Sequence, residues 1–252
     1  MAKQIGIIKL DGIMDNIVFY KSSDGYIARM HTPITAERIA SDPSFARTRE
    51  NMSEFGRAGK GARLLRVALR AELQKVSDRR ASNRLLRELM QVLKSDAENP
   101  RGQRTLVSAE KTSLVGFDFN ANAPLGSTFF APFTATLDRA TGAATVTLPI
   151  FTPANAVEAP AGATHFRINT AVVSVDFFAE TYAYAGAHST EIKLDSIPTT
   201  ELSLTANLGP NPTGALFVVV GIEFFQQVNS INYALNNGAF NALAIAKVEQ
   251  EG

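Results

Sequence analysis

From residue 106 to its end the chain is a series of short runs rich in Val, Ile, Thr and Phe, each stopped by turn formers, with no helical stretch between them. The runs are LVGFDFNA, STFFAPFTATLD, AATVTLPIF, THFRINTAVVSVDFFAE, TEIKLDS, TELSLTANL, ALFVVVGIEFFQQV, INYAL and FNALAIAKV. Thr141-Gly142, Pro160-Ala161-Gly162, Pro210-Asn211-Pro212 and Asn236-Asn237-Gly238 punctuate them. β-Branched and aromatic side chains suit a pleated, half-buried surface. Parallel strands need a crossover of a dozen residues or more, which this stretch does not offer, so the strands are expected to run antiparallel. The expectation for residues 105–252 is an acidic antiparallel β-sandwich of immunoglobulin-like architecture. With no Cys and no Trp, the Cys…Trp…Cys hallmark of true immunoglobulin domains is absent.

The preceding residues have two other textures. Within 1–32, QIGIIKL, NIVFYK and YIARMH are apolar runs separated at Asp11-Gly12 and Asp24-Gly25, a pattern that predicts a small β-meander. Residues 33–104 turn helical. Pro33 and the Thr35-Ala-Glu-Arg stretch begin this region, and Pro43 after Ser41-Asp42 fits a first helical position. Leu65, Leu69, Leu73 and Val76 form one apolar stripe. Ser77-Asp78 ends that helix, Ser82 is the expected cap of the next, and Leu85, Leu86, Leu89, Met90 and Leu93 form its stripe. SDAENPRGQRT is a connector. The fold class expected is α+β in three parts: 1–32, 33–104 and 105–252.

Charge is divided along the chain. The net charge is +1, yet residues 36–104 carry sixteen Lys/Arg against nine Asp/Glu, and residues 105–252 carry five against twelve. Such asymmetry speaks about partners rather than fold. Arg57, Lys60, Arg63, Arg66, Arg70, Arg84 and Arg87 are the candidate interaction surface, with Arg63, Arg66 and Arg70 on one helical face. That face could meet the acidic region of a second copy, or nucleic acid, since arginine suits phosphate. No helix-turn-helix, RNA-recognition or zinc-finger pattern accompanies it.

FGRAGKGARLL, residues 55–65, sets Lys60 among Gly56, Gly59 and Gly61. A phosphate-binding P-loop needs G-x-x-x-x-G-K-[ST] after a strand. Here Gly61 follows Lys60, Glu54 stands where the first glycine belongs, and the preceding residues read as helix. Nucleotide binding is therefore not expected. Three glycines in a helix cost roughly 1 kcal/mol each. Gly56, Gly59 and Gly61 are accordingly expected at a close approach or a bend.

Asp118, Asp176 and Glu223 sit amid aromatics in GFDFN, SVDFFAE and GIEFFQ. Raised-pKa acid or base residues occur in such settings, but polar alternates on a strand with one wet face read the same way. His31, His165 and His188 have no partner at metal-ligand spacing. No G-x-S-x-G, H-E-x-x-H, EF-hand or dinucleotide fingerprint is present. No catalytic, cofactor-binding or metal-binding residue is assigned, and no cofactor is expected. No apolar run is long enough for a membrane span, and no signal-peptide pattern opens the chain, so the default location is cytoplasmic.

KLDGIMDNIVFYKSSDGYIAR, followed by DPSFARTRENMSEFGRAGKGARLLR and, at the end, NNGAFNALAIAKV, resembles a group of uncharacterised Bacteroidota proteins. In that group a short β segment precedes an Arg-rich helical segment and a C-terminal immunoglobulin-like β domain. The resemblance implies this arrangement and brings no activity, cofactor or catalytic residue with it. The expected function is a non-enzymatic structural protein that self-associates head to tail into a ring or filament. The alternative is a nucleic-acid-associated protein, and the third reading is a ligand- or glycan-binding sandwich.

Overall fold

The chain folds as α+β with antiparallel sheets, described here from a computed structural model that covers residues 2–30 and 34–250. His31 and Pro33, at the junction of the expected meander and helical segment, lie outside the described residues. Two units divide the chain, Met1–Glu50 and Asn51–Gly252.

The first unit holds a four-stranded antiparallel sheet in the order β1-β4-β3-β2, with β1 Ala2–Lys3, β2 Gly12–Met14, β3 Ile17–Ser22 and β4 Gly25–Met30. Asp15, at φ 49°, makes the turn into β3, and Gly25, at φ 104°, opens β4. QIGIIKL is not a strand. Gln4 donates its amide to Tyr26 O, and the chain then leaves the sheet. The Gln4 side chain holds the excursion, accepting from Leu10 N at 2.8 Å and donating to Ile27 O at 3.3 Å. Thr35 caps α1 (Ala36–Ser41) by accepting from Arg38 N at 3.2 Å. Asp42 caps the 3-10 turn Pro43–Phe45, accepting from Ser44 N at 2.9 Å.

Helix α2 runs Ala46–Ala68, breaks at Leu69 and continues as the single turn α3, Arg70–Leu73. Helix α4 spans Ala81–Lys94. It starts one residue before Ser82, so Ser82 lies inside the first turn rather than capping it, and the cap position is Arg80. Short helices α5 (Leu125–Thr128) and α6 (Pro153–Ala156) lie between strands. The remaining strands are β5 Thr134–Asp138, β6 Ala143–Leu148, β7 His165–Asp176, β8 Thr181–His188, β9 Ile192–Lys193, β10 Leu202–Asn207, β11 Ala215–Val228, β12 Ile231–Ala234 and β13 Ala242–Glu249. LVGFDFNA begins on the last residue of a 3-10 turn, Thr112–Leu114, and makes one bridge, Asp118 to Ala244, in place of a strand.

These strands make two sheets, β10-β6-β5 and a larger one in which β12-β11-β7-β8 is joined by β13 on β11 and β9 on β7. Successive side chains of a strand point to opposite faces, and here both faces of the larger sheet are covered. Phe166, Ile168 and Val172 of β7, with Val218, Val220, Ile222 and Phe224 of β11, pack with Val146, Leu148, Leu204 and Ala206 of the smaller sheet. The alternate residues Ala171, Val173, Val175, Ala215, Phe217 and Val219 pack with Ala58, Ala62, Leu65, Leu69, Leu85, Leu89 and Leu93 of the helices. A bulge in β13 opposite Val218/Val219 restores the alternation, so that Leu243, Ile245 and Val248 all face the helices. The helices from Ala58 to Leu93 are thus a third layer on the sheet. No described helix is long and apolar enough to cross a membrane.

Candidate functional site

The arginine-rich residues are carried by three adjoining helices. Arg57, Lys60, Arg63 and Arg66 lie on α2, Arg70 opens α3, and Arg84 and Arg87 lie on α4. Their apolar faces dock on the sheet, which leaves the polar faces outward, and the structure sorts them into two groups.

Four of the seven are held by their own chain. Arg57 donates to Gly102 O at 2.8 Å and to Arg104 O at 3.1 Å, fastening the connector. Lys60 lies 3.4 Å from Glu180, with both side chains mostly in water, an ion pair worth at most about 1 kcal/mol. Arg84 donates to Asp118 O at 2.7 Å and pairs with Asp78 at 2.6 Å, its guanidinium 5.2 Å from the Phe117 ring centroid. Burial pushes the Asp78 carboxyl up, but hydrogen bonds from Arg80 N, Arg84 and Ala121 N outweigh it and hold the group below its usual value. Asp118 goes the other way: burial raises it, against the Leu125 N–H and the Arg84 charge. Arg87 pairs with its neighbour Glu88 at 3.0 Å.

Arg63, Arg66 and Arg70 are exposed and have no hydrogen-bond or ion-pair partner among the described residues. They line a groove of about 440 Å³ with Gln74, Asp78 and Ser82, over an apolar floor of Val67, Leu73, Val76 and Phe119.

The three glycines part company. At Gly56 and Gly59 an added Cβ would meet nothing within 4 Å, so those two positions do not demand close packing. At Gly61 a Cβ would run into the Leu106 side chain, with the Phe177 ring at 3.4 Å. Gly59→Ala is therefore expected to raise stability by about 0.5–1 kcal/mol through helix propensity. Gly61→Leu is expected to lower it by about 1–3 kcal/mol through overpacking. Urea denaturation of the two variants checks this, and equal midpoints would remove the distinction.

A second polar cluster was not legible as one. Glu223 is buried rather than on a wet face. It accepts from Arg167 at 2.8 Å and from Asn169 at 2.7 Å, and Lys75 lies 3.4 Å away. Lys75 also pairs at 2.9 Å with Glu72, which is 3% exposed and accepts from the Tyr184 hydroxyl at 2.7 Å. Burial, and then the Glu72 carboxylate, push the Tyr184 hydroxyl well above its ordinary value. Asn241 donates to Lys75 O at 2.7 Å, and Ser77 N donates to Gly238 O at 3.1 Å. Gly238, at φ 76°, sits where a Cβ would strike the Lys75 backbone. This cluster clamps the α3–α4 elbow to the sheet, and the groove described above is not lined by its carboxylates, Glu72 and Glu223.

Asp176 caps a turn, accepting from Phe178 N and Ala179 N. His165 and His188 stand apart from any group of three potential metal ligands, none of which occurs among the described residues. No family model matches the chain, and no curated protein does. One solved structure, described as "pH-induced modulation of Streptococcus parasanguinis adhesion by Fap1 fimbriae", aligns with 48% of this chain and 82% of its own, at 11% identity and a TM-score of 0.23. A likeness of that size carries no argument about this chain's fold or activity.

Proposed function

We propose that this is a non-enzymatic structural protein that self-associates head to tail, with its first unit as the assembly element and a second copy of the chain as the partner. The observation that carries the reading is apolar exposure. Among the described residues of Met1–Glu50, Ile27 is the single buried hydrophobic side chain, whereas Ile5, Ile7 and Ile8 are 81–102% exposed. Fifty residues with so little core do not stabilise themselves by burial, since small units already bury the smallest share of their surface. Water is a poor environment for three isoleucines so close together, each worth about 1.5–3 kcal/mol when fully buried.

Two unlike surfaces are on offer. One is the Ile5–Ile8 excursion. The other is a sheet face on which Met14, Ile17 and Met30 stand in cross-strand register, all exposed, beside the open edge of β2. A contact between unlike surfaces is heterologous and continues as a ring or a filament. Arg57, Lys60, Arg84 and Arg87 already have partners within the chain, which moves the main drive from charge to apolar burial. The two-sheet part belongs to the same proposal as an immunoglobulin-like sandwich with a helical layer added.

Sedimentation velocity at about 100 µM protein tests the reading. We expect assemblies larger than a monomer whose size changes little between 50 and 500 mM NaCl, because screening acts on charge and not on apolar contact. The double variant Ile7→Lys, Ile8→Lys is expected to sediment as a monomer. A monomeric wild type at that concentration, or an unaltered assembly in the variant, sinks the proposal.

A further inference from the structure

We propose that the groove lined by Arg63, Arg66 and Arg70 binds the phosphodiester backbone of a single nucleic-acid strand. The inference goes beyond assembly and stands on other residues, those of the helical layer. It starts from a contrast within one surface. The remaining residues of the arginine-rich face have partners in the chain, and these three do not, among the described residues.

Nearby carboxylates do not neutralise them. Asp78, which shares the groove, is held by Arg84 at 2.6 Å and by two backbone N–H groups. Glu72, two residues from Arg70, is turned into the clamp by Lys75 and Tyr184. The groove therefore presents uncompensated positive charge to solvent, with Gln74 and Ser82 as further hydrogen-bonding side chains.

The spacing suits a linear polyanion. Arg63 to Arg70 covers about 10 Å along the helices, longer than one phosphate-to-phosphate step of a strand, and three long side chains fan out from it, so the row reaches up to three phosphates, one per guanidinium. Guanidinium is the fitting group, since its planar fork binds phosphate oxygens two at a time. The apolar floor, Val67, Leu73 and Val76 with Phe119 buried beneath, gives bases a surface without hydrogen-bond readout, so binding is expected to be indifferent to sequence.

Fluorescence anisotropy of the full chain with a 5′-labelled 20-nucleotide DNA strand of mixed sequence tests the proposal. Three phosphate contacts on a single strand give a slope of log K on log salt near −2, which is roughly a 15-fold loss of affinity between 50 and 200 mM. Arg66→Ala is expected to flatten the slope by about 0.7, and the triple alanine variant to weaken binding at least about 10-fold at 50 mM. Arg87→Ala, outside the groove, is expected to leave both unchanged. The melting temperature of each variant is measured alongside; the wild-type slope and the single variant still decide the matter if the triple variant folds poorly. No binding at 50 mM salt, or wild-type affinity and slope in the variants, overturns the proposal. So does stronger competition from polyglutamate or phosphatidylserine vesicles than from unlabelled strand at equal charge.

Discussion

Aspartate at Val219 and aspartate at Val218 are each expected to abolish cooperative folding. The two positions are adjacent in β11 and point to opposite faces of the larger sheet, Val219 into the cluster shared with the helices and Val218 into the cluster shared with the smaller sheet. Both are 0% exposed. Opposite Val219 stand Ala171 and Ile245, whereas Lys247 stands opposite Val218, so the larger cost is expected at Val219; the effective penalty of burying an unpaired ion is several kcal/mol. The lost burial of the valine methyls adds about 1 kcal/mol or more. The sum takes most of the 5–15 kcal/mol by which a domain is ordinarily stable. Ser203→Asp, on the exposed face of β10, is the control and is expected to stay within about 0.5 kcal/mol of wild type. Thermal melts followed by circular dichroism separate the cases. If either Val variant folds with near-native stability, the larger sheet has a wet face and the three-layer arrangement fails.

The covering of both faces was written in ALFVVVGI, residues 215–222, where no polar residue alternates with the apolar ones. Strand spacing alone suggested a sandwich, and spacing says nothing about what lies over a sheet. Strand β8 was harder to see. TYAYAGAH is Ala- and Gly-rich and mostly exposed, so it holds its place through register with β7 rather than through strand propensity. QIGIIKL misled in the opposite sense: β-branched residues favour a strand, but the Gln4 side chain satisfies the backbone of an excursion instead.

The arginine-rich face was visible as composition, but the division within it was not. Arg57 and Arg84 are held largely by backbone carbonyls, and a carbonyl partner leaves no mark in a count of charges. The same limit hid the clamp. In sequence Glu72 is one acid among the arginines of residues 36–104, and only the tertiary fold brings it, Lys75, Tyr184 and Glu223 together across more than a hundred residues. Glycines behave likewise: Gly56, Gly59 and Gly61 are equal in sequence, and only the neighbours Leu106 and Phe177 single out Gly61.

Lys75→Met is expected to destabilise the protein by about 3–5 kcal/mol, the usual result of removing one member of a buried ion pair. The methionine keeps much of the apolar stem, so the loss is that of the ammonium. Two carboxylates depend on it unequally. Glu223 keeps Arg167 at 2.8 Å and Asn169 at 2.7 Å. Glu72 keeps Tyr184 alone, at 2.7 Å, and has a side chain only 3% exposed. The cost therefore falls mainly on Glu72, which makes the effect repairable at one atom. Glu72→Gln in the Lys75→Met background removes the orphaned charge, preserves an oxygen for the Tyr184 hydroxyl and is expected to recover more than about half of the loss, a coupling of the size that contacting residues show in double-mutant cycles. Glu223→Gln in the same background is expected to recover less, because it surrenders the Arg167 pair. Urea unfolding of the three variants supplies the free energies. A Lys75→Met variant within about 1 kcal/mol of wild type would mean that water screens the cluster, and equal rescue by the two glutamines would mean that the carboxylates share the lysine evenly.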